Sequence, residues 1–167
     1  STVLMLAVQH FHNSLVELLL KQPGLDINLT DKIGFTALHY ACCDGSWELV
    51  RLLLAQPGLT SQNLRDGYGY TPLIQAVYQG GEHGAACVRL LLEVPGLELD
   101  LRSSQGEFPW SRNGGENSRV ALELVRKKVE ERRVEQGRQR EEAIREMTDE
   151  KIEKIVQLLE PSTKFNT

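Results

Sequence analysis

Apolar positions along the first hundred residues recur in a fixed order. A short apolar block is followed by a polar break, and then by a second block that is rich in leucine. The second block is LVELLL at 15–20, LVRLLL at 49–54 and CVRLLL at 87–92. In each copy the apolar residues three and four positions apart share one face, which predicts an amphipathic helix. A Pro-Gly pair shortly after each block marks the end of that helix.

The short block in front of each helix predicts a second, shorter helix. It is TVLMLA at 2–7, TALHYA at 36–41 and TPLIQA at 71–76, so successive threonines lie 34 and then 35 residues apart. Thr36 is a good N-cap for a helix that begins there, and a loop around Gly45 reverses the chain before the leucine-rich helix. The repeating unit is therefore a turn, a helix, a turn and a helix.

One such unit has apolar surface on both flanks and cannot bury it alone. Successive units must stack on one another, which predicts a solenoid. The Asp-Gly turn, the TALH block and the LVRLLL helix at this spacing resemble the ankyrin repeat family. The resemblance covers residues 1–102, with about three repeats of which the first is incomplete. It implies an all-α repeat solenoid with turn or hairpin tips, to which the sequence adds a helical C-terminal extension.

Two copies depart from the pattern. The third contains extra residues at 79–87, in QGGEHGAAC, which predicts a longer loop between its two helices. A fourth copy has Phe108 and Trp110 where Thr and Leu would stand. We interpret residues 103–130 as a degenerate fourth repeat that caps the stack.

The remaining sequence is strongly charged. Residues 131–147 form a charged helical or mobile linker in this interpretation, because no apolar residue lies between Glu135 and Glu142. Thr148 is a suitable N-cap for an amphipathic helix over 148–161, which either caps the stack or docks elsewhere. Residues 162–167 are expected to be frayed.

Composition and charge limit the classes of function that this chain can have. The 167 residues carry a net charge of −4, and residues 1–118 contain 7 Lys or Arg against 12 Asp or Glu. An acidic repeat region argues against a nucleic acid partner, which needs a basic face, and favours a basic or apolar protein surface. No apolar run is long enough for a membrane span. The first residues fall within a repeat and show no signal peptide pattern, so we expect a fragment of a longer protein.

The cysteines and histidines give no pattern of a reactive site. Three cysteines are an odd number without a disulfide framework, which favours the reducing cytoplasm or nucleus. Cys42 and Cys43 lack the spacing of a metal site, and Cys42 should be a core residue. His39 lies in TALH, where the resemblance implies a hydrogen bond between adjacent turns. We therefore predict no catalytic residue, no cofactor and no metal.

The predicted function is binding of a partner protein or peptide, as a scaffold or adaptor without enzymatic activity. The ankyrin resemblance implies a concave face lined by the turn tips and the first helices. Aromatic residues there are typical interface anchors. The positions assigned to this face are Gln9, His10, Lys32, Ile33, Phe35, Cys43, Asp44, Trp47, Tyr68, Tyr70, Tyr78 and Gln79.

Two other functions remain open. The repeats could regulate a larger enzyme or channel through contacts within one polypeptide, or Cys43 could serve a redox-sensing module. The segment LLLKQPGLDIN resembles ankyrin segments whose closing asparagine is hydroxylated, which corresponds to Asn28. The alternative role of Asn28 is a hydrogen bond to the turn. The partner, the parent protein and the oligomeric state do not follow from the sequence.

Overall fold

The computed structural model describes residues 2–102 and 118–159. These residues form α-helices joined by turns and one short 3-10 helix at Ser61–Asn63, and no strand occurs among them. The helices are α1 (Val3–Gln9), α2 (Asn13–Leu20), α3 (Ala37–Cys43), α4 (Trp47–Leu54), α5 (Pro72–Gln79), α6 (Gly81–Leu92) and α7 (Arg119–Leu159).

Each short helix begins at the predicted threonine. The Thr36 hydroxyl accepts a hydrogen bond from the backbone N–H of His39 at 3.3 Å, and Thr2 and Thr71 cap α1 and α5 in the same way. Gly45 adopts a φ of +69°, which lets the chain reverse between α3 and α4. The helix start predicted at Thr36 is therefore confirmed, and the equivalent threonines begin the other two short helices.

The helix pairs stack in chain order into one hydrophobic core. Helix α3 packs between α1 and α5, and α4 packs between α2 and α6. Leu38, Leu53 and Leu73 are fully buried and belong to the same core cluster. This arrangement confirms the predicted solenoid, because each leucine is shielded by the neighbouring unit as well as by its own.

The insertion in the third unit lengthens a helix and not the loop. Only Gly80, with a φ of +64°, separates α5 from α6, and α6 has 12 residues against eight in α4. The prediction of a longer loop is wrong. Gly81 and Gly84 have low helix propensity, but Gly84 and Ala85 are buried and α6 packs on α5, which stabilises the extra turn.

The N-terminal part of α7 also contributes to the core. Ala121 and Val125 are buried members of the core cluster, and Lys128 pairs with Glu93 at 4.0 Å. Phe108 and Trp110 lie outside the described residues, so the degenerate fourth repeat stays a prediction.

The chain divides into two compact units, and residues from Val129 onward belong to the second. Helix α7 is continuous from Arg119 to Leu159, so the predicted helix start at Thr148 is wrong. The polar stretch after Glu135 consists mostly of Glu, Gln and Arg, which have good helix propensity, and a single Gly137 costs only about 1 kcal/mol. The helix therefore continues through it. The frayed tail at 162–167 lies outside the described residues. No helix among the described residues is long and apolar enough to cross a bilayer.

His39 joins adjacent repeats, as the family resemblance implies. Its ring is buried, with Nδ1 accepting from the Thr36 backbone N–H at 3.2 Å and Nε2 donating to the Tyr70 carbonyl at 3.1 Å. Burial lowers the pKa of His39 below its ordinary value of 6.5, although the Tyr70 carbonyl and Asp66 oppose this. The neutral ring is therefore the form that the stack accommodates.

Stability is expected to fall as the pH drops through and below about 6.5. In this range the unfolded chain binds a proton at His39 that the folded chain does not, so acidification favours unfolding until the lower folded pKa is passed. Urea unfolding at pH 7.5 and 5.5 measures the effect. A His39→Gln variant should be less stable at pH 7.5 and lose less between the two values. An equal loss in both proteins would contradict the assignment to His39.

Candidate functional site

The turn tips of the second and third repeats are built around one aspartate each. Asp31 Oδ1 accepts hydrogen bonds from the backbone N–H groups of Ile33 and Phe35, both at 3.0 Å. Asp66 Oδ1 accepts from Tyr68 and Tyr70 at 2.8 and 2.9 Å. The two tips therefore have the same geometry. In each tip the side chain two positions after the aspartate, Ile33 or Tyr68, is exposed.

A side chain from the following helix holds the second oxygen of each aspartate. The Tyr40 hydroxyl donates to Asp31 Oδ2, and Gln75 Nε2 donates to Asp66 Oδ2 at 2.8 Å. Burial raises the pKa of Asp31, but the hydrogen bonds from Tyr40, Phe35 and Ile33 outweigh it and the net pKa is lowered. Sequence reasoning missed this clamp. Its signal is an aspartate nine residues before a donor side chain in both repeats.

The two tips contact each other directly. The Gly67 backbone N–H donates to the Ile33 carbonyl at 2.8 Å, which places exposed Ile33 beside exposed Tyr68. The rings of Tyr68 and Tyr70 lie 6.3 Å apart in a tilted arrangement. Lys32 is also exposed. We call Lys32, Ile33, Tyr68 and Tyr70 the tip cluster.

Phe35 does not belong to this surface. It was predicted at an exposed tip, but its side chain is only 8% exposed, and that prediction is wrong. Its ring packs 5.5 Å from the ring of His39 and 5.0 Å from that of Tyr40, so it fills the space beneath the tip. Tyr70 is intermediate, since it is half-buried against the core.

A second group of predicted residues lies at the opposite ends of the first helices. A Cβ placed on Gly45 would be 2.9 Å from the His83 Cβ and 3.3 Å from Gln79 Cγ, so the α3–α4 turn abuts the α5–α6 junction. Exposed Trp47 follows that turn, and exposed Tyr78 precedes Gln79. We call Asp44, Trp47, Tyr78, Gln79 and His83 the loop cluster. His83 was missed because its position depends on the extra turn of α6.

Three predicted positions, Gln9, His10 and Cys43, belong to neither cluster. Cys43 and Gln9 are half-buried, and His10 is exposed at the end of α1. Burial raises the pKa of the Cys43 thiol, and the carboxylates of Asp44 and Asp66 raise it further. A thiol in this setting carries little of the nucleophilic thiolate at neutral pH.

Asn28 fastens its repeat to the next one. Its Nδ2 donates to the Gly58 carbonyl at 2.8 Å, and its Oδ1 accepts from the backbone N–H groups of Thr60 and Ser61 at 2.8 and 3.1 Å. Asn63 makes the equivalent bond to Gly96 one repeat later. The hydrogen-bonding role of Asn28 is therefore confirmed, and its hydroxylation stays a prediction.

The tip cluster and the loop cluster present aromatic and aliphatic side chains together with amide, lysine and aspartate groups. Within residues 2–102 and 118–159, no three His, Cys, Asp or Glu side chains converge as metal ligands.

Comparison with known families gives one model match. The model for ankyrin repeats, in three copies, matches residues 4–103. An ankyrin repeat domain from Acinetobacter baumannii AYE, solved by crystallography, has a TM-score of 0.65 with 26% sequence identity. That alignment covers 77% of this chain and 64% of the solved chain.

Curated relatives share the repeat region. The probable 26S proteasome regulatory subunit p28 of Saccharomyces cerevisiae is 38% identical over 85 residues, which is 51% of this chain and 36% of that protein. The SMC5-SMC6 complex localization factor protein 1 of Bos taurus is 40% identical over 95 residues, or 55% and 8%. Human protein fem-1 homolog A is 39% identical over 77 residues, or 46% and 11%. The chain thus spans about a third or less of the length of these relatives.

Proposed function

Because the chain belongs to the ankyrin repeat family, we propose that it binds a partner protein through the tip cluster and the loop cluster. Ankyrin repeats are generally protein–protein interaction modules, and repeat solenoids present extended concave surfaces for this purpose. The proposed activity is non-enzymatic, as a scaffold or adaptor.

The observation that carries the proposal is the exposure of aromatic side chains on a rigid frame. Tyr68 and Tyr78 are exposed although the backbone beneath them is fixed by buried contacts and by the Asp66 clamp. Tyrosine on a rigid support binds with little loss of conformational entropy, and it is enriched among residues that dominate binding energy.

Charge supports a particular kind of partner. Asp44 is exposed in the loop cluster, and the chain has a net charge of −4. A peptide or protein surface with apolar anchors and some Lys or Arg would complement this surface. A nucleic acid partner is disfavoured by the same charge. The expected compartment is the cytoplasm or nucleus, on the ground of the unpaired cysteines.

The two alternative functions differ in their support. The short coverage of the relatives leaves room for a regulatory role within a larger protein, such as an enzyme or channel. The raised pKa of Cys43 disfavours a redox-sensing role, because that role needs a reactive thiolate.

Replacing Tyr68 and Tyr78 with alanine is expected to weaken partner capture strongly. One tyrosine anchor contributes about 2 kcal/mol, so recovery of the partner should fall at least about thirtyfold. The immobilised chain is incubated with cell extract, and the captured proteins are quantified by mass spectrometry. Both side chains are exposed, so the urea midpoint of the variant should match that of the unaltered chain.

A matched control removes apolar surface elsewhere. Val134→Ala with Met147→Ala truncates two exposed side chains of α7 and should leave capture unchanged. Loss of capture in the α7 variant alone would assign binding to that helix. Equal capture by all three proteins would reject the proposed surface.

A further inference from the structure

A phenylalanine occupies a backbone position that suits glycine. Phe11 lies in the turn between α1 and α2 with a φ of +55°, and in the described part of the chain it is the only residue other than glycine with a positive φ. Gly45 and Gly80 hold the matching positions in the next two turns, with φ of +69° and +64°. In this left-handed region a bulky side chain strains the backbone, whereas glycine does not.

The backbone of the first turn is the same as that of the second. The Phe11 N–H donates to the carbonyl three residues earlier at 3.0 Å, and the Gly45 N–H makes the same bond at 3.2 Å. The residue after each of them donates to the carbonyl five residues earlier, at 2.9 Å in both turns. The strain at Phe11 is therefore a property of the turn itself and does not depend on residues in front of α1.

The side chain at this position points toward the next repeat. A Cβ on Gly45 would lie 2.9 Å from the His83 Cβ and 3.3 Å from the Gln79 Cγ, both in the third repeat. By the same geometry the Cα–Cβ bond of Phe11 points toward the turn of the second repeat, which carries Asp44. Phe11 is nevertheless 57% exposed, so packing of its ring does little to offset the strained backbone. Strain of this kind is concentrated at functional sites.

Phe11 completes a row of exposed aromatic side chains, one at each of the three turns between paired helices. Trp47 follows the second turn and Tyr78 precedes the third, with exposures of 37% and 50%. Among the described residues, neither the Asp44 carboxylate nor the Gln79 amide beside this row has a hydrogen-bond or ion-pair partner. An extended peptide needs such partners for its own backbone N–H and C=O groups, whereas a helix satisfies these groups internally.

We propose that Phe11 is a binding anchor and that the row of Phe11, Trp47 and Tyr78 receives an extended peptide segment of the partner. Packed helices lie about 8–10 Å apart and an extended chain rises about 3.3 Å per residue, so the segment carries apolar side chains about three positions apart. Desolvation raises the pKa of the Asp44 carboxyl, and a Lys or Arg beside the middle apolar residue would stabilise the carboxylate. The proposal rests on the loop cluster being part of the binding surface.

The test selects a random peptide library displayed on phage against the full chain, and the enriched peptides are synthesised for affinity measurement. Phe11→Gly removes the anchor and the strain together. Its Kd for these peptides should be about tenfold higher or more, while its urea midpoint rises because glycine adopts the left-handed conformation without strain. Phe11→Tyr keeps the ring and should bind as the unaltered chain does. A lower urea midpoint for Phe11→Gly would assign the ring to packing and overturn the proposal.

Tyr78→Ala separates this proposal from the proposed function. Weaker peptide binding by both Phe11→Gly and Tyr78→Ala supports the row, and weaker binding by only one of them overturns it. A loss in Tyr78→Ala alone leaves the loop cluster in place, whereas unchanged binding by both variants rejects the loop cluster as well. Leu18→Ala truncates a side chain with the same exposure, 57%, and is the control that should bind unchanged. A library that yields no enriched peptide would overturn the extended-peptide mode alone.

Discussion

Replacing Gly34 with alanine is expected to destabilise the repeat stack by about 2–4 kcal/mol. Gly34 has a φ of +79°, where an alanine is strained by about 1 kcal/mol. Its added Cβ would also lie 2.9 Å from the Gly67 nitrogen and 3.1 Å from the Asp66 Cα. These are backbone atoms that cannot rotate away, so the two tips must separate. Overpacking of this kind adds about 1–3 kcal/mol.

Gly24→Ala is the matched control for Gly34→Ala. Gly24 has nearly the same φ, +80°, but no atom lies within 4 Å of the added Cβ. Only the backbone strain remains there, which is about 1 kcal/mol. Urea unfolding followed by circular dichroism gives the free energy of unfolding for both variants. Equal losses would show that the two tips accommodate the added Cβ of residue 34 at no measurable cost.

The fold was predictable because its signals are local and repeated. Thr36 and Thr71 mark helix starts through hydrogen bonds within four residues, and the leucine stripes mark the faces that must be covered. Three copies of one pattern then determine the stack, because each unit contacts mainly its neighbours. The predicted helix start at Thr148 was wrong because threonine, although a good N-cap residue, is also tolerated inside a helix.

The candidate site was predictable only in part. Position within the repeat identifies the residues near a tip, and it correctly gives exposed Ile33 and Tyr68. It does not show whether a ring turns outward or inward. Phe35 turns inward because His39 and Tyr40 provide an aromatic surface next to it, which is a property of the packed structure. His83 depends in the same way on how the inserted residues fold.

Replacing Gly84 with alanine is expected to destabilise the stack by about 1–2 kcal/mol, because the cost of overpacking exceeds the gain in helix propensity. Within a helix, Gly→Ala stabilises by about 0.5–1 kcal/mol, because alanine loses less backbone entropy on folding. At Gly84 the added Cβ would lie 2.6 Å from the Ala76 carbonyl oxygen and 3.3 Å from the Gln79 carbonyl carbon. Helices α5 and α6 are joined by Gly80 alone, so α6 cannot shift away without disturbing the core.

Gly137→Ala is the matched control, because the same substitution is expected to increase stability at this position. Gly137 lies inside α7 with nothing within 4 Å of the added Cβ, so the helix propensity gain of about 0.5–1 kcal/mol should appear in full. The two variants are compared by urea unfolding and by the ellipticity at 222 nm. We expect a lower midpoint for Gly84→Ala and higher thermal stability of helical signal for Gly137→Ala. If both variants gained stability, α5 and α6 would have to lie farther apart than the 2.6 Å between the added Cβ of residue 84 and the Ala76 carbonyl oxygen indicates. The assigned extra turn of α6 and the position of His83 beside Gly45 would then both be wrong.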